Sequence, residues 1–534
     1  MSGSITLENR FGVNKMELIS LKYAIFVIVL LVLYYCFPKK YRWYVLLAGS
    51  MAYYVIICKW YVLFIIFTIC TTYGSTIWID KLLKEQNAIV KSHKEDWDRQ
   101  TRKEYKEKGR KKRVAVMLFA LLCNFGILAF LKYIPYAGEL GLLLPLGISF
   151  YTFQSMGYVM DVYREIVEPE KNFLKVALFV SFFPQIIQGP IAIYDKLAGQ
   201  LYEGHSLRLE NLQKGALLVL WGVMKKLVIA DRAVNIINFV MDKPMDFSGT
   251  YVFFAAVVYA LQLYADFSGG IDIVRGIAEM FGITMSTNFN HPYFSRSLTE
   301  YWHRWHMTLG DWCRNYIFYP LSISKRFLNF GKWLKPRFGA HISKVLPGCI
   351  ASVITFIVIG VWHGANMKYL CFGLWNGIVI MLAELFAPVN KKVAGGFFKL
   401  TGLREKGIFA TIVSVLWTFM LILVGYYFDI AANASTAFHM LFKSVTDFHI
   451  SELGINNIIL NLGACGLDEY DILLLIICTL LWFFISFVEE NKKLDMRDFI
   501  LSRKLPLRWA IIYLGIFIVI IFGYYGPGVN PADF

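Results

Sequence analysis

A chain of 534 residues that is 57% hydrophobic and only 17% charged lacks the polar side chains to cover a water-soluble surface of its size. Its formal net charge of +16 does not indicate a nucleic-acid partner, because the lysines and arginines sit in short segments between apolar runs, as in a membrane protein with basic cytoplasmic loops. The nine cysteines lie scattered, mostly in apolar runs, with no CxxC or zinc-like spacing, and are expected to pack as small apolar side chains.

Apolar runs near the bilayer-spanning length of about 20 residues recur along the chain. They fall near 20–37, 43–58, 60–79, 114–132, 141–160, 172–191, 214–240, 250–270, 346–362, 367–387, 408–430, 471–488 and 508–526, and ten to thirteen are expected to cross or enter the membrane. The first run is too long for a signal-peptide core and no small-residue cleavage site follows it, so it is expected to stay as the first span. Lys39, Lys40 and Arg42 close that span, and the polar loop from Lys81 to Arg113 carries 13 basic and 6 acidic residues. Two spans separate these segments, which puts both in the cytoplasm and the N-terminus outside. The stretch from Lys492 to Arg508 is expected on the cytoplasmic side too. The loop 80–113 is compatible with a helix. Residues 281–345 are too polar to cross lipid and too apolar for a free loop, which predicts a re-entrant or interfacial segment. Residues 430–470 read as an extracytoplasmic polar connection. No linker, low-complexity tract or short repeat interrupts the chain, so 1–534 is read as one all-α, polytopic integral membrane domain.

The stretch from Asn288 to Pro320 is the most informative. Read as a helix over 299–316, with Ser297 or Thr299 as its cap, it places Trp302, Trp305, Leu309, Trp312 and Tyr316 on one aromatic stripe. Glu300, Arg304 and Asp311 fall opposite, with Glu300 and Arg304 spaced to pair. His306 lies beside the stripe and His303 one step further round. An imidazole held against apolar rings is partly desolvated, which favours the neutral form a general base needs. A surface-lying amphipathic helix with its histidines at the headgroups is the bland alternative. Metal ligation by His303 and His306 lacks a third ligand of suitable spacing, and no metal is expected.

A second constellation is Gly360-Val-Trp362-His363-Gly364-Ala-Asn366, entered by an apolar run and followed by another. An ionisable residue at that depth is a functional candidate, against the alternative of a buried histidine satisfied by one carbonyl. Gly360 and Gly364 would let a neighbouring helix or a substrate approach the backbone. Asn366 could orient the ring if the helix continues. Asp266, Asp272, Gln185 and Gln188 are further intramembrane polar residues, open to either a structural or a substrate-lining reading. Pro184, Gly189 and Pro190 break any helix around Gln185 and Gln188, and the freed carbonyls then need partners. No GxxxxGK[ST], GxSxG or HExxH motif is present, so ATP-driven, serine-hydrolase and zincin chemistry are unsupported.

Ordered motifs across most of the chain, strongest from about 145 to 380, resemble the membrane-bound O-acyltransferase (MBOAT) family. They are Pro145-Leu-Gly-Ile-Ser-Phe-Tyr-Thr-Phe-Gln154, Asp161-Val-Tyr163, Gln188-Gly-Pro190, Tyr264-Ala-Asp-Phe-Ser-Gly269, Asn288-Phe289 with Pro292-Tyr293, Arg304-Trp-His306, Val361-Trp-His-Gly364 and Leu374-Trp-Asn-Gly377. Tyr34-Tyr-Cys-Phe-Pro-Lys-Lys-Tyr-Arg-Trp43 and the long portion after 400 resemble the alginate O-acetyltransferase branch. The chain departs from the family pattern at His303, usually arginine, at Asn315, usually aspartate, and at Ser322-Ile323, usually two glycines. The resemblance implies a helical bundle with re-entrant or interfacial helices around a central funnel, with a catalytic core at about 114–390 and C-terminal spans over 400–534. It implies His363 as the essential intramembrane histidine, with His306 as its companion, at a reaction centre near mid-membrane. Asn288, Trp302, His303, Trp305, Trp362, Asn366, Asp266 and Gln188 are expected to line the funnel.

The activity expected from this resemblance is transfer of an acyl group, taken as acetyl, from a cytoplasmic thioester such as acetyl-CoA toward an extracytoplasmic polysaccharide. No bound cofactor is expected. An extracytoplasmic SGNH-type protein is the expected partner, and the cell membrane the expected location. His363 would act as general base or carry the acyl group, and His306 would position the donor carbonyl or share the proton work. D-alanyl transfer to teichoic acid is the alternative within the family, disfavoured by the long C-terminal portion. A polysaccharide or lipid transporter is the alternative of another class, disfavoured by the lack of paired, repeated broken segments.

Overall fold

Residues 18–134, 144–401, 407–454 and 465–524, with 138, 142, 404 and 457, are described by a computed structural model. The predicted stretches 141–160, 430–470 and 508–526 fall partly outside the described residues, as does the segment before residue 18. Every regular element among the described residues is helical. Among the described residues eight helical stretches are long and apolar enough to cross a bilayer, and this is a multi-pass membrane protein. Large apolar side chains stand exposed along these helices, for example Ile408 at 80% and Ile521 at 65%, a surface that lipid rather than water would cover.

The chain divides into two units. The first comprises Met1–Val219 with Gly270–Ser286. Its helices Val62–Ser92 and Arg99–Tyr133 extend well beyond a bilayer's thickness, so most of the polar loop predicted at 80–113 is helix. Asp98 caps the second of these by accepting from the Thr101 amide. Ile148–Tyr163 is buried along nearly its whole length. It starts at Gly147, whose φ of 69° and close approach to the Ile186 carbonyl exclude a side chain there. The predicted span 172–191 is instead two short helices, Phe173–Ser181 and Phe183–Gln188, broken at Phe182 ahead of Pro184. As the proline pattern required, the freed carbonyls have partners: Gln154 donates to the Phe179 carbonyl at 2.5 Å and Gln185 to the Pro190 carbonyl at 3.1 Å, and the two glutamines bond each other.

The second unit comprises Leu220–Gly269 with Thr287–Phe534. The predicted span 214–240 is also interrupted. Within this unit a π-helical segment, Lys225–Ala230, leads into the helix Asp231–Met241, and it buries Lys225 and Lys226. The helices Lys325–His363, bent at Gly339, and Met367–Leu385 form a close-packed pair. Glycines make that approach possible. A side chain on Gly360 would strike the Tyr369 carbonyl, and one on Gly373 the Phe356 carbonyl. Gly364 faces the Tyr369 ring in the same way, so both glycines flanking His363 serve close packing.

Candidate active site

The aromatic stripe expected on one helix over 299–316 is broken at its centre. Ser297 caps Leu298–Arg304, and a second helix, Met307–Cys313, begins only after His306. Trp305 is extended and His306 adopts φ 43°, ψ 52°, a left-handed conformation that costs a non-glycine residue on the order of 1 kcal/mol. Residues 288–290 compensate by pairing with the break. The Asn290 amide donates to the Arg304 carbonyl and the Met307 amide to the Asn288 carbonyl, each at 2.9 Å. The rings still cluster, now around Trp305, which contacts Phe289 at 5.0 Å, Tyr301 at 5.7 Å and Tyr264 at 5.9 Å between centroids. The predicted pair of Glu300 and Arg304 forms at 2.7 Å, and Arg304 also reaches Glu490 at 3.0 Å.

His306 is 5% exposed and sits edge-on to Phe267, 4.9 Å away. Its Nδ1 lies 3.2 Å from Asn288 Oδ1. The same oxygen accepts from the Thr308 amide at 3.1 Å and the Thr308 hydroxyl at 2.9 Å. A backbone N–H can only donate, so Oδ1 is identified as the acceptor and Nδ1 must carry the proton. The Nε2 atom then bears a lone pair, and it has no hydrogen-bond partner among the described residues. Burial first, and the neighbouring His363 second, push the pKa of His306 down to about 3. At neutral pH the ring is therefore uncharged, with its proton-accepting nitrogen unspent. With its proton on Nδ1, the Nε2 atom accepts a hydrogen bond rather than donating one.

His363 is the last residue of the helix Lys325–His363 and is half-buried. Its ring stacks on Tyr369 at 5.9 Å and meets Trp362 and Phe372 edge-on at 4.9 and 5.7 Å. Trp362 also faces His306, 6.5 Å away between centroids, so one indole touches both imidazoles. The expectation that Asn366 orients the His363 ring from a continuing helix is overturned. The helix ends at His363, and Asn366 instead caps Met367–Leu385 through the Lys368 amide and donates to the Ala432 carbonyl at 3.2 Å. Lys368 Nζ donates to the Asp429 and Ala431 carbonyls at 2.7 and 2.8 Å, which ties the His363 turn to the end of the Ile408–Ile430 helix. A positive charge formed on His363 would meet the carbonyl-rich end of its own helix, which favours cations.

The other candidates divide. Trp302 belongs to the cluster: it donates from Nε1 to Asn376 Oδ1 at 3.0 Å and packs on Phe356 and Phe372. His303 is exposed and makes none of these contacts, so the structure does not bring it to the two histidines. Asp266 lies on the helix that carries Phe267, and its Oδ1 pairs with Lys226 Nζ at 2.7 Å, an atom that also meets Asp231 at 2.7 Å, while its Oδ2 is buried with no partner among the described residues. Gln188 belongs to the other unit, where its amide packs against Gly270. Sequence reasoning missed Phe267, Tyr369 and Asn376, which look like ordinary core residues, and the buried Lys225, Lys226, Asp231 and Arg232. Two adjacent lysines inside an apolar run were the available signal for that charged group.

Residues 169–335 match the profile of the MBOAT, membrane-bound O-acyltransferase family. The chain is 30% identical over 315 residues to a probable alginate O-acetylase, AlgI, of Pseudomonas syringae pv. tomato, covering 58% of this chain and 54% of that one. It is 30% identical over 314 residues to a peptidoglycan O-acetyltransferase of Helicobacter pylori, covering 52% and 56%. Against a teichoic acid D-alanyltransferase of Bacillus subtilis it is 26% identical over 288 residues, covering 53% and 67%. The chain thus spans little more than half the length of the O-acetylating relatives it matches. By these matches and its helical architecture, the chain is similar to the membrane-bound O-acyltransferases, and among them to the alginate O-acetylases.

Proposed function

We propose that the protein is an O-acyltransferase of the cell membrane that moves an acetyl group from a cytoplasmic thioester, acetyl-CoA, toward an extracytoplasmic polysaccharide. The observation that carries this reading is the buried, neutral His306 with an unspent Nε2, paired through Trp362 with His363. A thioester is already activated, so the reaction needs a proton acceptor and a dry, ordered site rather than an energy source. In the proposed step an accepting hydroxyl gives its proton to an imidazole as its oxygen attacks the thioester carbonyl carbon. The C–S bond then breaks, and the departing thiolate takes the proton. His363 takes the hydroxyl's proton or transiently carries the acetyl group, and His306 shares the proton work. General base action by a placed imidazole contributes typically about 10²–10⁴-fold.

The O-acetylating names of two relatives at 30% identity support acetyl over D-alanyl as the group moved. In the proposed arrangement an extracytoplasmic SGNH-type partner receives the acetyl group and its serine completes transfer to the polymer. The N-terminus lies outside and the basic segments lie in the cytoplasm. Replacement of His363 by alanine is expected to abolish acetylation of the surface polymer. Unchanged acetylation at a normal level of the protein in the membrane would refute the assignment.

A further inference from the structure

The first unit holds a cavity of about 590 Å³ between the extended ends of the helices Val62–Ser92 and Arg99–Tyr133. That volume lies within the range of small-ligand sites. Six of its lining residues are cationic: Arg99, Arg102, Lys103, Lys106, Arg110 and Arg113. Only Glu107 and Glu165 oppose them.

Its inner end is built rather than merely charged. Arg113 is 7% exposed, and its Nη1 donates to Gln86 Oε1 at 2.8 Å. Gln86 is itself buried, and it reaches Arg113 because residue 109 is glycine: a Cβ there would strike the Gln86 amide oxygen. Arg113 Nε has no partner among the described residues, and the Glu165 carboxylate stands 3.9 Å from Nη2. A guanidinium held that deep with an N–H unspent is costly unless an acceptor joins it. At the rim, Arg102 is fixed by two bonds to the Trp97 carbonyl, at 3.0 and 2.8 Å. Arg110 pairs with Glu107 at 2.7 Å, whereas Arg99 and Lys106 form no ion pair among the described residues.

We infer that this cavity binds a ligand bearing two or more clustered phosphates. Guanidinium forks and ammonium groups converging on one concavity match that chemistry, because each phosphate offers several acceptor oxygens. A single carboxylate ligand would leave most of the cations unneutralised. Such phosphates come from two sources, a nucleotide such as the 3′-phospho-ADP portion of coenzyme A, or a diphosphate lipid headgroup such as that of cardiolipin.

The test uses the full chain purified in an uncharged detergent. Coenzyme A is titrated in one arm, cardiolipin in a second, and phosphatidylcholine in a third as the uncharged reference. Saturable binding of coenzyme A or of cardiolipin, but not phosphatidylcholine, is expected, with the responding arm naming the source. The affinity should fall at least tenfold in Lys106→Glu and in Arg113→Gln, and should weaken with added salt. Lys106 is exposed, so Lys106→Glu remains informative if Arg113→Gln does not fold. The coenzyme A arm rests on the proposed acetyl-CoA donor and the cardiolipin arm does not, and loss of binding in Lys106→Glu reports on this cavity rather than on the two histidines. Absence of binding in both anionic arms, or binding that Lys106→Glu leaves unchanged, would overturn the inference.

Discussion

Replacing Asn288 by aspartate tests the state of His306 without changing the shape of the site. Asn288 is fully buried, and its Oδ1 accepts three bonds while its Nδ2 has no partner among the described residues. Exchanging that amide nitrogen for oxygen therefore removes no hydrogen bond. It does place a negative charge one hydrogen bond from the imidazole. At about 4 Å and an effective dielectric constant near 20, the attraction to an imidazolium is about 4 kcal/mol, or roughly three pH units. His306, held at about 3 in the unaltered protein, would then titrate at about 6. In the unaltered protein Nε2 keeps its lone pair from pH 5 to pH 9, so His306 contributes no acid-side loss of activity. In Asn288→Asp the lone pair is lost as the pH falls through about 6, so at pH 5 activity should drop by roughly tenfold relative to pH 8. Release of coenzyme A from acetyl-CoA by purified protein, followed across this range, gives the profile. An Asn288→Asp profile that overlies the unaltered one, with the protein folded, would refute the reasoning about the tautomer and the role of burial.

The depressed pKa of His306 also makes folding stability depend on pH. An unfolded histidine takes up a proton near pH 6.5, whereas the folded one does so only near 3. The unfolded state binds the extra proton in between, so stability falls as pH drops from 6.5 toward 3, by about 1.4 kcal/mol per unit. Thermal unfolding in detergent should therefore lose more between pH 7 and pH 5 in the unaltered chain than in His306→Gln. Lys226→Met leaves the Asp231 and Asp266 carboxylates buried without the ammonium they share. It should destabilise the protein by about 3–5 kcal/mol, read as a drop in the unfolding midpoint. Gly360→Ala forces a methyl into the Tyr369 carbonyl. It should separate the helices that present His363, costing about 1–3 kcal/mol and lowering turnover beyond what stability alone explains.

The membrane architecture was legible because an apolar run of bilayer length leaves few alternatives, and the helix ends follow Ser and Asp caps such as Ser297 and Asp98. The breaks were legible only where proline marks them, as at Pro184. At His306 the local pattern favours a continuous helix. The break depends on residues 288–290, whose pairing with residues 304–307 no periodicity reveals. Asn288 could be chosen as a site residue from its motif, but its hold on the His306 proton needed the three bonds on Oδ1. The charged group around Lys226 was hidden for the same reason: Asp266 lies 40 positions away, and the intervening run reads as lipid-facing until the pairing is seen. His303 shows the converse error, since helical spacing placed it near His306 and the break turned it to the surface.

Acyl transfer is proposed to rest on two imidazoles joined through Trp362. The most direct test supplies purified protein with labelled acetyl-CoA and follows the label and the released thiol, comparing the unaltered chain with His306→Ala and His363→Ala. Turnover by the unaltered chain is expected, with a loss on the order of a hundredfold or more in each variant. Equal turnover in all three, each folded and present in equal amount, would contradict it.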